Sequence, residues 1–228
     1  MKINISLNRS GESKNIEYDY AQIDKKDRPM ALDVLLEAQE AEQPGLAFRY
    51  GCRNGLCGVC TIDVNGKSKL ACRTKLRDGD RLSAMHSLPV IKDLVVKRDK
   101  INQQLIGRLP IVKSKPEKIT EDHRQLVSLN RCIECYACLD GCPVHTQNEL
   151  EDQSKASYAF GNPYGFLKIQ RVLVNPSASV NDKRQAVELA MSLGVENYDA
   201  KKVPGCGVGI DLKTEVIMPL LEACKENS

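Results

Sequence analysis

Cysteine is the residue type in this chain whose number and spacing could do chemistry. Ten are present: Cys52, Cys57, Cys60 and Cys72, then Cys132, Cys135, Cys138 and Cys142, then the isolated Cys206 and Cys224. In a reducing compartment a chain of 228 residues has a large enough core not to need disulfide staples, so clustered thiols point to metal. The first set reads Cys52-x4-Cys57-x2-Cys60, with Cys72 after eleven intervening residues. That is the plant-type spacing for a [2Fe–2S] cluster, and the interleaved Gly51, Gly55 and Gly58 let the backbone fold round a small inorganic core. Zinc is the alternative, but zinc motifs more often show two separated Cys-x2-Cys pairs. The second set, Cys132-x2-Cys135-x2-Cys138-x3-Cys142-Pro143, is the bacterial pattern for [4Fe–4S]. In that pattern three close thiols wrap one cubane and the fourth, ahead of proline, serves another cluster, so a remote thiol must complete the site. Cys206, in Pro204-Gly205-Cys206-Gly207, is the candidate, and Cys142 closing the cubane itself is the alternative. Cys224 reads as a small apolar residue on a helix.

No nucleophile–base pair accompanies these thiols. His86, His123 and His145 are the only histidines, and none has a neighbourhood that suggests catalysis. His145 reads as a surface or capping residue, with cluster tuning or partner contact as the alternative. Glu121-Asp122 reads as a complement to a helix dipole, and Lys97-Arg98-Asp99-Lys100 as a solvated face. The chemistry therefore sits on metal, with potentials set by burial, N–H bonds to sulfur and net charge.

The elements that must position the thiols follow from periodicity. Ile3, Ile5 and Leu7 alternate, as do Ile16, Tyr18 and Tyr20 beyond Gly11, which predicts a hairpin. Leu32, Leu35 and Leu36 fall at helical spacing within Ala31 to Ala41. Asn65-Gly66 after a β-branched run predicts a second hairpin that brings Cys72 back beside the first cysteine loop. A last strand is expected near Leu94-Val95-Val96. Residues 101 to 120, with Gly107, Pro110 and Pro116, read as a linker. Beyond it the periodicity is helical: Leu126 with Leu129; Phe166 to Leu173; Val187 to a stop at Gly194; and Val216 to Leu221 after Asp211 as N-cap, with Pro219 kinking or restarting the last helix. The expected fold is α+β, a β-grasp ferredoxin domain over residues 1–105 followed by an α-helical domain over 106–228.

Composition narrows the function class. Lys plus Arg is 33 against 30 Asp plus Glu, a formal charge of only +3, which gives no electrostatic reason to expect a nucleic-acid partner. Aromatic residues are 4% with no Trp, so a base-stacking platform is not expected either. No stretch approaches the length of apolar residues that a membrane span needs, and Met1-Lys2-Ile3-Asn4 begins no signal peptide.

The loop Tyr50-Gly51-Cys52-Arg53-Asn54-Gly55-Leu56-Cys57-Gly58-Val59-Cys60, then Leu70-Ala71-Cys72-Arg73-Thr74, Leu94-Val95-Val96, and Asn130-Arg131-Cys132-Ile133-Glu134-Cys135 ending in Cys142-Pro143 together resemble the iron–sulfur subunit of succinate dehydrogenase and fumarate reductase. Gly161-Asn162-Pro163-Tyr164 and the stretch from Cys206 to Ile210-Asp211-Leu212 resemble that family's helical domain, so the resemblance spans nearly the whole chain. It implies an N-terminal β-grasp [2Fe–2S] domain, a C-terminal α-helical [4Fe–4S] ferredoxin domain, and a role as a wire inside an oxidoreductase complex. The expected partners are an FAD-containing catalytic subunit, where the substrate chemistry would occur, and a further electron carrier or anchor subunit. The expected location is cytoplasmic, or peripheral on the cytoplasmic membrane face through a partner. One departure stands out. Family members usually hold a third, [3Fe–4S], cluster, ligated by the cysteine matching Cys142 and by two more whose positions here are Glu196 and Lys202. That cluster is expected to be absent, leaving Cys142 a buried free thiol and weakening the case for quinone as the distal partner. The alternatives are a subunit of a related flavin-dependent enoate or hydroxy-acid oxidoreductase, and a redox-sensing iron–sulfur protein.

Overall fold

A computed structural model of the chain describes residues 1–9, 11–21, 28–41, 45–113, 123–142 and 161–226. Pro116, Glu121, Asp122, Pro143 and His145 lie outside the described residues. The chain divides into two compact units: Met1–Arg98 with Ile133–Ala137, and Asp99–Cys132 with Cys138–Ser228.

The first unit is a mixed five-stranded sheet crossed by one helix. Strands β1 (Lys2–Arg9) and β2 (Glu12–Asp19) form the first hairpin, with Ile5 opposite Ile16. Helix α1 spans Ala31–Ala41 and buries Leu32, Val34, Leu35 and Ala38. Strands β3 (Thr61–Val64) and β4 (Lys67–Leu70) form the second hairpin. Its turn has Asn65 at φ 55° and Gly66 at φ 80°, the left-handed pair that a two-residue hairpin of this twist requires. Strand β5 (Arg81–Ser83) pairs parallel to β1 and antiparallel to β3, so the order is β2-β1-β5-β3-β4. Ile3, Ile5 and Leu7 of β1 face the same core as Leu82 and the apolar side of α1. This is the β-grasp arrangement. The strand expected near Leu94 exists as β7 (Val95–Val96), but it pairs with β6 (Val90–Lys92) in a separate two-stranded ribbon rather than in the main sheet.

Asp93 ties that ribbon to the sheet. Its side chain is fully buried and accepts from Arg9 Nε at 3.0 Å and from the Ala47 N–H at 2.9 Å. Ala47 leads directly into the first cysteine loop, so a buried carboxylate fixes the loop's approach.

The second unit is helical. Ile101 and Leu105 are buried, so the start of the expected linker is packed rather than free in solvent. Helix α2 spans Arg124–Asn130; α3, Pro163–Leu173; α4, Val180–Ser192; and α5, Met218–Glu226. Asn162 caps α3 by accepting from the Gly165 N–H at 2.9 Å, with Pro163 at the first helical position. Ser179 and Asp182 form a reciprocal capping box on α4, and Gly194 at φ 77° ends it. Asp211 accepts from the Lys213 and Thr214 N–H groups, and the Thr214 side chain together with those backbone bonds holds its carboxyl below the usual range. A π-helical turn, Lys213–Ile217, follows and passes directly into α5, where Pro219 has no N–H to give to the preceding turn. The core of this unit gathers Leu129, Phe166, Ile169, Val187, Ala190, Val216, Ile217 and Leu220.

Candidate iron–sulfur sites

The four thiols of the first set are brought together by the loop and the second hairpin. Cys52 is exposed at the loop's start, while Cys60 and Cys72 are buried at the two ends of the β3–β4 hairpin, where the Ala71 N–H donates to the Cys60 carbonyl at 3.0 Å. The loop turns its amides onto sulfur. The Leu56 N–H donates to Cys52 Sγ at 3.3 Å, and the Cys52 N–H to Cys57 Sγ at 3.5 Å. Hydrogen bonds from the Asn54 and Leu56 backbone bring the Cys52 thiol down to about 6. Cys72 goes the other way, to about 11, because burial and the shared hydrogen bond with Cys60 disfavour its thiolate. Backbone donors already aimed at Cys52, Cys57 and Cys72 suit thiolates whose charge is shared with iron.

Arg53 adopts φ 58° in this loop, and Glu134 and Tyr136 adopt φ 55° and 62° on either side of Cys135. A left-handed conformation costs a residue with a side chain roughly 1–2 kcal/mol, so both cysteine loops carry strain, and alternating left-handed residues turn successive N–H groups into an anion-holding concavity. Gly58 shows why the loop needs glycine there. At φ 67°, a Cβ would stand 2.3 Å from the Ile133 carbonyl oxygen and 2.9 Å from the Cys135 nitrogen. The backbone of the first cysteine loop therefore lies directly on the backbone of Ile133–Cys135, and Cys135 is buried in the core of the first unit.

In the second unit, Cys132, Cys138 and Cys206 are half-buried against the helical core. Arg131, next to Cys132, donates through Nη2 to the Gly209 carbonyl at 3.4 Å, which ties the Cys132 end to the loop that carries Cys206. Arg171 donates to the Leu129 carbonyl at 2.7 Å and closes the end of α2 just ahead of Cys132. The Val208 N–H donates to Cys206 Sγ at 3.4 Å, the kind of bond Cys52 receives from Leu56. Cys142 differs. It is buried, and its sulfur accepts the hydroxyl of Tyr198 at 3.5 Å. Burial and that bond push the Tyr198 hydroxyl well above its ordinary pKa, so it remains a protonated donor. Tyr198 packs edge-on against Phe166 at 5.9 Å between ring centroids. Cys224 is buried on α5, and burial raises its thiol pKa. Glu196 and Lys202 are both exposed.

Sequence reasoning missed Tyr198, which no motif marks, and misread Arg98. The Arg98 side chain is half-buried, with its Nη1 on the Gly58 carbonyl. His86 lies 3.1 Å from Asp63, at the edge of the second hairpin.

Residues 2–103 match the family of 2Fe-2S iron-sulfur cluster binding domains. A fumarate reductase (CoM/CoB) subunit of Methanothermobacter marburgensis is 32% identical over 158 residues, covering 68% of this chain and 30% of that protein. Succinate dehydrogenase [ubiquinone] iron-sulfur subunit 1, mitochondrial, of Oryza sativa subsp. japonica is 35% identical over 146 residues, covering 59% and 52%. The chain is thus similar to fumarate reductase and succinate dehydrogenase subunits over more than half of its length. It spans about half or less of the length of these relatives, at 52% and 30%. The fold of the chain is also that of a solved structure: a chain of the Mycobacterium smegmatis Sdh1 complex in the apo form is 20% identical, with a TM-score of 0.81 over 100% of this chain and 96% of that one. The α+β architecture expected from the sequence is thus the observed one. Among the described residues no helix is long and apolar enough to cross a membrane.

Proposed function

We propose that this chain is the electron-transfer subunit of a fumarate reductase or succinate dehydrogenase type complex, relaying electrons between an FAD-bearing catalytic subunit and a second carrier or anchor subunit. The observation that carries the reading is the contact of Gly58 with Ile133 and Cys135, which brings two strained, thiol-bearing loops together backbone to backbone. Iron–sulfur groups held there would each take and give one electron. Cys52, Cys57, Cys60 and Cys72 would hold [2Fe–2S], and Cys132, Cys135, Cys138 and Cys206 would hold [4Fe–4S]. Cys206 is the fourth cubane ligand in this reading: its sulfur accepts from the Val208 N–H, as Cys52 accepts from Leu56, and Arg131 ties its loop to Cys132. What the chain itself does is hold sulfur lone pairs toward donors, exclude water from Cys60, Cys72 and Cys135, and keep the two loops in backbone contact.

The residues present do not fit the third cluster of the wider family. Glu196 and Lys202 stand where the family has two thiols, and both face solvent. Analysis of anaerobically purified protein should give about six irons, two plus four, with acid-labile sulfide and no [3Fe–4S] signal in the oxidised state. Zinc in place of iron would refute the electron-transfer reading, and about nine irons would refute the two-cluster version of it. Copurification of an FAD-containing chain tests the partner.

A further inference from the structure

The charged run at the end of the first unit is not one solvated face. Lys97 and Asp99 are exposed, but Arg98 between them turns inward. Its Nη1 donates to the Gly58 carbonyl at 3.0 Å and its Nη2 to the Thr61 carbonyl at 3.3 Å, with Met85 Sδ at 3.8 Å. Those two carbonyls bracket Cys60 in the chain. The guanidinium carbon also lies 5.7 Å from the centre of the Tyr136 ring, the residue after Cys135. Arg98 Nε is buried with no hydrogen-bond partner among the described residues. Burial and the neighbouring Arg49 lower the Arg98 pKa, while Tyr136, Cys135 and Cys60 raise it, and no carboxylate is among these influences.

A guanidinium does not give up its proton inside a protein, so a desolvated one needs negative charge nearby. Cys60 on one side and Cys135 on the other are among the groups that act on it, and as iron ligands they would carry that charge. We propose that Arg98 is the shared counter-charge of the two cysteine loops, a positioning residue that clamps Cys60 and Cys135 and makes the iron–sulfur groups on both easier to reduce. The proposal rests on the reading of Cys60 and Cys135 as iron ligands. Reduction adds one negative charge to each group, and a fixed positive charge close by in a low-dielectric site favours the reduced form.

The test is an EPR-monitored redox titration of the full chain, with iron and sulfide content measured first, for wild type, Arg98→Gln and Arg98→Lys. In Arg98→Gln the ratio of reduced to oxidised form at a given potential should fall about tenfold for both signals, which is 59 mV for a one-electron couple. Arg98→Lys, which keeps the charge, should stay within about threefold of wild type. Unchanged midpoints in an iron-replete Arg98→Gln protein, or a shift confined to one of the two signals, would overturn the proposal. If Arg98→Gln cannot retain its iron, Arg98→Lys decides: retention at near wild-type midpoints supports a charge requirement, and loss there too means that the planar fork and not the charge is needed. Wild-type protein without iron would instead refute the electron-transfer reading itself, and the metal analysis separates that failure from this one.

Discussion

Cys52 and Cys142 show how differently one chain can treat a thiol. Cys52 stands in solvent on a loop that spends left-handed strain to point two backbone amides toward its sulfur, which brings the thiol to about 6. Cys142 is buried among helices with a tyrosine hydroxyl on its sulfur and an aromatic ring behind that tyrosine. Amides aimed at an exposed sulfur prepare for negative charge that something else will share. The hydroxyl on Cys142 gives that buried sulfur a single side-chain donor and closes part of the space around it. The donors that face each sulfur thus separate two cysteines that a count treats as equal.

The sharpest way to break this contrast is to exchange the roles of Cys206 and Cys142. Cys206→Ala should lose or convert the [4Fe–4S] signal, removing up to about four irons, whereas Cys142→Ala should keep it. The reverse pattern would show that a hydroxyl-bonded buried thiol can be the ligand after all. Next in size is a pair of glycines with similar backbone. Gly58 and Gly141 have φ 67° and 69°, but a Cβ at Gly58 meets the Ile133 carbonyl while one at Gly141 meets nothing within 4 Å among the described residues. Gly58→Ala should cost about 3 kcal/mol or more in urea unfolding and deplete iron, and Gly141→Ala about 1 kcal/mol with iron intact. Equal costs would mean that conformation alone matters at Gly58.

Smaller effects refine the comparison. Tyr198→Phe removes one hydroxyl bond and should destabilise the second unit by about 1 kcal/mol without changing iron content, as read by denaturation and metal analysis. In iron-free protein, Cys52 should be thiolate above about pH 6, so its alkylation by iodoacetamide should level off near neutrality, whereas Cys72, raised to about 11, should react faster as pH climbs to that value. The sign follows from the causes: amide donors stabilise the Cys52 thiolate, and burial beside Cys60 destabilises that of Cys72. Parallel pH profiles would mean that the loop does not hold this geometry without metal.

Much of this was legible before any coordinates. Alternation marked β1 and β2, Asn65-Gly66 marked the second hairpin, and the cysteine spacings marked both loops, because each of these signals is local. Strand β5 was not legible. Arg81-Leu82-Ser83 has one apolar residue, and it is a strand only because β1 and β3 supply partners on both sides. Arg98 failed for the same kind of reason: in sequence it sits in a run of charges, and only the carbonyls of Gly58 and Thr61 and the ring of Tyr136 draw it inward. Tyr198 and Cys142 are 56 residues apart, a pairing that no spacing rule encodes.

The parallel pairing of β1 with β5 has a consequence for biogenesis. The sheet cannot close until Ser83 has left the ribosome, and by then all four thiols of the first set have already emerged. At about 5–20 residues per second, some 2–6 s separate the appearance of Cys52 from that of Ser83. In that interval the future ligands are out while their cradle is still open, and an assembly factor would find them easiest to load before the central strand snaps shut behind them.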